Sequence, residues 1–120
     1  MKRRAFIASL ASALFIQRAE AAPTTGIASW YGGRWHGRKT ASGERYNKNQ
    51  YTCAMNRMPF GTRLSVTDVH TGKDVVVIVN DRIGHPGRLV DLSEAAAKHL
   101  GILKKGLAVV SIKVKGIILP

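Results

Sequence analysis

The chain has 120 residues, a length that fits one domain and excludes a multi-domain machine. It is 45% hydrophobic and can bury a core, while only four prolines and 12 glycines exclude a collagen-like or disordered chain. Nineteen Lys and Arg against seven Asp and Glu give a formal charge of +12, which points to an anionic partner or surface, and a lone cysteine, Cys53, excludes an internal disulfide framework and a cysteine-based zinc site.

Residues 1–21 read as a signal peptide. Met1 to Arg4 is a positive n-region, Ala5 to Ile16 is an apolar run too short for the roughly 20 residues that span a bilayer, and Ala19-Glu20-Ala21 is a small-x-small cleavage site. Arg3-Arg4-Ala5-Phe6-Ile7 resembles a twin-arginine motif, so both Sec and twin-arginine export stay open. No cysteine lies near the cleavage site for lipidation. The expected product is therefore not a lipoprotein but a protein exported to the periplasm or cell envelope. Cleavage after Ala21 leaves 99 residues with 15 basic and 6 acidic side chains, a net charge of +9. Outside the cytoplasm nucleic acid is not a normal partner, and an anionic wall or membrane surface takes its place.

Ala22 to Thr25 reads as a short tail and residues 22–120 as one domain. Gly26 to Tyr31 alternates as a first strand. Gly32 to Gln50 has four glycines, many polar groups and no apolar period, an irregular excursion of the kind that carries function in a small domain. Pro59-Phe60-Gly61 is a turn, Thr62 to Thr67 alternates as a half-buried strand, and His70 to Lys73 turns it back. Val75 to Val79 is an unbroken β-branched run, expected as a strand buried on both faces. It ends at Asn80-Asp81-Arg82, followed by a loop at Ile83 to Gly87. Asp91-Leu92-Ser93-Glu94 fits a capping box with Asp91 as cap, ahead of one short helix over about residues 92–99 that stops at Gly101. In the last strand, Val109 to Lys115, the expected inward residues are Val110, Ile112 and Val114. Several short strands around a small core predict a mainly β fold closed as a barrel, with chemistry in a surface groove.

Trp30, Tyr31 and Trp35 lie beside the glycine-rich loop and are either core or platforms for sugar rings. His36, His70, His85 and His99 have no metal-ligand spacing, and Cys53 reads as a small buried hydrophobe; no metal and no cofactor are expected.

Four ordered motifs resemble the rare lipoprotein A family: Gly26-Ile27-Ala28-Ser29-Trp30-Tyr31-Gly32; Trp35-His36-Gly37-Arg38-Lys39-Thr40-Ala41-Ser42-Gly43-Glu44; Asn80-Asp81-Arg82; and Gly87-Arg88-Leu89-Val90-Asp91-Leu92-Ser93. Met58-Pro59-Phe60-Gly61-Thr62 falls between them in order. The resemblance implies a single six-stranded double-psi β-barrel, a fold shared with expansins, and action on peptidoglycan as a lytic transglycosylase of peptide-stripped glycan strands. It places Glu44 and Asp81 on the family's two acidic catalytic positions. Trp30, Tyr31, His36, Thr40, Ser42, Asn80, Arg82 and His85 are the expected substrate contacts, and the protein is expected to act as a monomer.

The chemistry sets its own demands. Cleaving a β-1,4 glycosidic bond needs a carboxylic acid to protonate the leaving oxygen. A lytic transglycosylase uses the sugar's own 6-hydroxyl as nucleophile, so one carboxyl acts first as acid and then as base. Burial or a neighbouring carboxylate must keep it protonated near neutral pH. Asp81, at the end of the most apolar strand, is expected in that role, with Glu44 positioning sugar or holding a second charge.

Three departures from the family pattern stand out. Met55 occupies the usual histidine position, the loop at Ile83-Gly84-His85-Pro86 is short and places His85 where it fills part of that role, and Tyr46-Asn47 replaces a tyrosine-aspartate pair. No appended glycan-binding repeat domain is expected after the barrel. Met55 favours the alternative reading, a non-catalytic wall-binding or wall-loosening module of expansin type.

Overall fold

The computed structural model describes residues 24–118, so the expected signal peptide and its cleavage site lie outside the described residues. Six strands form: β1 (Thr24–Tyr31), β2 (Thr52–Ala54), β3 (Thr62–Asp68), β4 (Asp74–Asp81), β5 (Val90–Ser93) and β6 (Ala108–Ile117). Among the described residues one α-helix, α1 (Glu94–Leu100), joins β5 to β6, and a single 3-10 turn lies at Gly33–Trp35. The strands close in the order β1-β5-β2-β4-β3-β6, with β1 parallel to β5, β2 parallel to β4, and antiparallel pairing elsewhere. This is the expected mainly β barrel with one short helix.

Period-2 alternation builds the interior. Leu64 and Val66 from β3, Val77 and Val79 from β4, Val90 and Leu92 from β5 and Val110 from β6 are all fully buried. Ala96, Ala97 and Leu100 of α1 join the same core. Closure gives each strand a partner on both sides over part of its length, which shortens the edge open to another chain.

Local details differ from the sequence expectations. Thr24 and Thr25, read as a tail, already pair with Ile112 and Ser111 of β6. The Val75–Val79 run is not buried on both faces: Val76 is 40% exposed, because in a barrel only the interior face is covered. Val114 keeps the inward parity by pairing with Leu64 but is 50% exposed. Among the described residues β1 flanks β6 only as far as Ile112, so the end of β6 has a neighbour on one side alone. Asp91 does not cap the helix. Ser93 does, its hydroxyl accepting from the Ala96 amide at 3.2 Å, and Asp91 lies in β5. Tertiary pairing recruited the Val90–Ser93 segment into the barrel, which moved the helix start two residues on.

Asp68 pins the β3–β4 turn. Its fully buried carboxylate accepts the amides of His70 at 2.8 Å and Thr71 at 3.2 Å and faces the Lys105 ammonium at 3.6 Å. Burial acts to raise its pKa, but the two amides and Lys105 outweigh it and hold the group below the usual carboxylate range. A depressed pKa contributes stability that is present above the unfolded-state value and is lost as pH falls through the folded one. Asp68→Ala should cost about 1–3 kcal/mol near neutral pH, by orphaning those amides. Thermal melts at pH 7 and in acid check this: the deficit should shrink in acid, and an equal deficit at both would refute the electrostatic part.

Candidate active site

Register, more than any one residue, builds the site. Ser29 of β1 pairs with Asp91 of β5, Asp91 pairs with Ala54 of β2, and Ala54 pairs with Asp81 of β4. Directly paired residues share a face, so Ser29, Asp91, Ala54 and Asp81 form one row across four strands. The neighbours Ala28, Val90 and Leu92 point into the core, so the row lies on the outer face. A bulge between Cys53 and Ala54 creates the last step: without it Ala54 would meet Asn80, and with it Ala54 meets Asp81. Two carboxyls thus flank one alanine, two strand spacings or roughly 10 Å apart between Cα atoms.

A pocket of about 300 Å³ opens over this row. Asp81 and Asp91 line it with Ala54, the aromatics Tyr31, Trp35 and Tyr46, and the cations Arg38, Lys39 and Arg82. The 37–46 loop forms its other wall. Thr40 to Glu44 folds on itself, Thr40 Oγ1 donating to the Glu44 carbonyl at 2.8 Å and meeting Ser42 Oγ at 2.9 Å. The loop is tied to the end of β4 because the Ala41 amide donates to Asp81 Oδ1 at 2.9 Å and the Ser42 amide to the Asn80 carbonyl at 3.2 Å. The Arg82 amide also donates to Asp81 Oδ1, at 2.9 Å. Both bonds fall on one oxygen, which orients the carboxyl.

Asp91 is half-buried, and its pKa is raised. Burial is the main cause; the Ser29 hydroxyl, donating to Oδ1 at 3.0 Å, acts to lower it, as do Arg88 and His85, while the charge of Asp81 pushes it up. Tyr31 is raised too, by burial first and then by Asp81, Tyr46, Asp91 and Cys53, so its phenol is a neutral donor across the physiological range.

The expected site residues fall into two groups. Asp81, Tyr31, Thr40 and Arg82 line the pocket. Arg82 also braces it, with Nη1 donating to the Met55 carbonyl at 2.9 Å and its guanidinium 3.9 Å over the Phe60 ring. Glu44 is exposed beside the pocket, and its Oε1 accepts from Asn80 Nδ2 at 3.3 Å. Trp30 has the inward parity and packs on the core, Ser42 is spent within its own loop, His36 Nδ1 accepts the Lys48 amide at 3.1 Å, and His85 Nδ1 accepts the Gly87 amide at 3.2 Å. None of these four, nor Asn80, lines the pocket. Met55 is buried in the core, so the usual histidine position supplies no polar group to the site.

Asp91, Tyr46, Arg38 and Lys39 were missed. The signal for Asp91 was present: a lone acid between two apolar residues in Val90-Asp91-Leu92 is also the pattern of a short strand with a polar outer face.

Barrel and pocket together define the class: a double-psi β-barrel with paired carboxyls set on its outer face under a glycine-rich loop. The sequence profile described as lytic transglycolase matches residues 23–112, three quarters of the chain, and the chain belongs to that family. An endolytic peptidoglycan transglycosylase RlpA of Neisseria meningitidis serogroup A is 50% identical over 90 residues, covering 74% of this chain and 38% of that protein. Probable endolytic peptidoglycan transglycosylases RlpA are similar in Aquifex aeolicus, 52% identical over 83 residues (68% of this chain, 37% of that one), and in Synechocystis, 49% over 90 residues (74% and 28%). The chain thus spans well under half the length of these relatives. Among solved structures, the Streptomyces papain inhibitor superposes with a TM-score of 0.64 at 23% identity, covering 78% of this chain and 94% of that one. A mutant Clavibacter michiganensis expansin in complex with cellohexaose superposes with a TM-score of 0.62 at 24% identity, covering 78% and 50%. These two likenesses speak for the fold alone.

Proposed function

We propose that this domain is a lytic transglycosylase that cuts the β-1,4 bond between N-acetylmuramic acid and N-acetylglucosamine in peptide-stripped peptidoglycan strands, leaving a 1,6-anhydro end. The observation that carries the reading is the Asp91–Ala54–Asp81 row, two carboxyls in one pocket, with Asp91 pushed by burial toward its protonated form. The names of the relatives supply the substrate. As exported proteins meet the wall directly, we place the enzyme in the periplasm or cell envelope, acting as a monomer.

The reaction needs a proton at the glycosidic oxygen, and Asp81, at the strand end with Asp91 as its neighbour across Ala54, is the carboxyl that supplies it. Asp81 delivers it to the glycosidic oxygen as the C1–O4 bond breaks and the electron pair goes to O4. The muramic 6-hydroxyl then attacks C1 and returns its proton to the carboxylate, so no water is consumed and the pair is restored. Pocket walls carrying Arg38, Lys39 and Arg82 suit a substrate that bears carboxylates. Glu44 acts from the rim, holding Asn80 and with it the strand end that presents Asp81.

Mass spectrometry of products from peptide-free glycan strands tests this. Wild-type protein should release anhydro-ended sugars and Asp81→Asn should release none. Glu44→Gln, which keeps a weaker hydrogen bond to Asn80, should slow release by roughly tenfold. Intact strands with wild-type protein, alongside retained pelleting with sacculi, would instead support the wall-binding module that the buried Met55 favours.

A further inference from the structure

Tyr31 carries a hydroxyl that the fold has left without work. Its Oη is out of contact with solvent and has no hydrogen-bond partner among the described residues. Buried hydroxyls are nearly always paired, so an orphan beside chemistry calls for an explanation. Tyr31 is the last residue of β1, on the same outward face as Ser29, and it lines the pocket with both carboxyls.

Its ring leans on one neighbour. It stacks on Tyr46 with centroids 4.5 Å apart and planes 26° from parallel. The Tyr46 hydroxyl donates to the Tyr31 carbonyl at 2.8 Å and accepts the Glu94 amide at 3.1 Å, which ties the stack to the start of α1. Tyr46 therefore spends its hydroxyl on structure, whereas Tyr31 keeps a donor unspent.

We propose that Tyr31 is a positioning residue for the acid/base pair: when the pair gives up its proton, the Tyr31 hydroxyl donates a hydrogen bond to the carboxylate that forms, and it releases that bond when the proton returns. The consequence for catalysis rests on the transglycosylase reading above. The proton on Tyr31 never leaves its oxygen. It is shared only while O4 holds the departed proton and C1 awaits the 6-hydroxyl, so the bond stabilises the charge that exists in the transition state and not in the resting site. Burial and the two carboxylates keep the phenol protonated and fit for that task. The other groups facing the pair are Ser29 from β1, Arg38 and Lys39 from the glycine-rich loop, and Arg82, His85 and Arg88 from the β4–β5 connection. The Ser29 hydroxyl already donates to Asp91, Arg38, Lys39, Arg82 and His85 are exposed to solvent, Arg88 is half-buried, and Cys53 behind Asp91 is a buried neutral thiol.

Two measurements on the whole protein decide the matter. The first follows the carboxyl carbons of Asp81 and Asp91 by NMR through an acid titration, in wild type and Tyr31→Phe, which keeps the stacked ring. Loss of a donor to the charged form should move the pair's upper titration to higher pH, and Tyr46→Phe should lower the melting temperature without moving it. The second needs no variant: the Tyr31 Cζ resonance of the wild-type protein should shift as the carboxyls ionise. A titration unmoved by Tyr31→Phe, or a flat Tyr31 signal, overturns the proposal. With glycan strands, Tyr31→Phe should lower turnover by roughly tenfold to a hundredfold, the worth of one hydrogen bond to a charged group, with pelleting on sacculi unchanged. If wild-type protein cuts nothing, the transglycosylase reading fails, and the titrations still decide the coupling of Tyr31 to the carboxyls.

Discussion

Asp91→Asn is expected to lower bond cleavage by about 10² or more while raising the melting temperature at neutral pH. The two effects share one cause. Burial raises the pKa of Asp91, which means that the folded state disfavours its charge. A raised carboxyl pKa contributes stability that is fully present below the unfolded-state value near 3.9, and that stability is lost as pH rises through the folded value. Above the unfolded-state value the unfolded chain gains by ionising this group while the folded site resists it, so at neutral pH Asp91 counts against the fold. Asparagine has no charge to desolvate and retains an oxygen to accept from Ser29, whose hydroxyl now donates to Asp91 Oδ1 at 3.0 Å. It gives up the attraction of Arg88 and His85, which burial already outweighs in the wild type. Melting curves from pH 3 to 8 should therefore show wild-type stability declining across the acid range relative to the variant. Equal pH slopes for the two proteins would remove the electrostatic account, and full activity in the variant would exclude Asp91 from the acid/base pair.

Gly61→Ala is the substitution expected to damage the fold most. Gly61 sits at φ +93°, in the left-handed region, and a Cβ built there would overlap the carbonyl oxygen of Ile118. The contact is fixed from both sides: the Gly61 amide donates to Val79 at 2.8 Å, and the Ile118 amide donates to Gly61 at 2.8 Å. Neither backbone can retreat without losing a hydrogen bond. Positive φ alone costs an alanine about 1–2 kcal/mol, and the clash brings the total to about 3 kcal/mol or more. In a domain of this size that is a fall in melting temperature of roughly 12 °C or more. Gly72→Ala is the control, because Gly72 has φ +78° but nothing within 4 Å of the added carbon, so only the conformational cost applies. Similar losses in both variants would show that the Ile118 contact is dispensable. Val79 lies two residues before Asp81, so partial activity in Gly61→Ala would also report how far the strand end must be held for cleavage.

Much of the barrel was legible because local patterns and tertiary demands agreed. Thr62 to Thr67 alternates, and β3 alternates in the structure; Glu94 to Gly101 has good helix formers and a glycine stop, and α1 lies there. Agreement failed where pairing partners distant in sequence made the decision. Thr52–Ala54 is too short to show a period, and it is a strand only because β4 and β5 flank it. Asp91 to Ser93 read as the start of a helix, since Asp serves as a cap, but β1 and β2 flank Val90–Ser93 as a strand.

The candidate site divides along the same line. Asp81 stood out as a charge at the end of a buried strand, and the glycine-rich stretch stood out by having no period at all. By itself the sequence determined that Asp81 stands at a strand end and that a glycine-rich loop precedes it, because charge at a strand end and glycine in a loop are local properties. Only the tertiary structure decided the partnership. Asp91 and Asp81 share a pocket because a one-residue bulge in the β2–β4 pairing turns Asp81 onto the row of Ala54, and a slip of one residue would have sent it to the opposite face. Tyr31 and Trp30 were likewise equivalent as neighbouring aromatics, and strand parity alone sent one to the pocket and the other to the core. Register is a property of pairs of segments far apart in sequence, and no reading of one segment contains it.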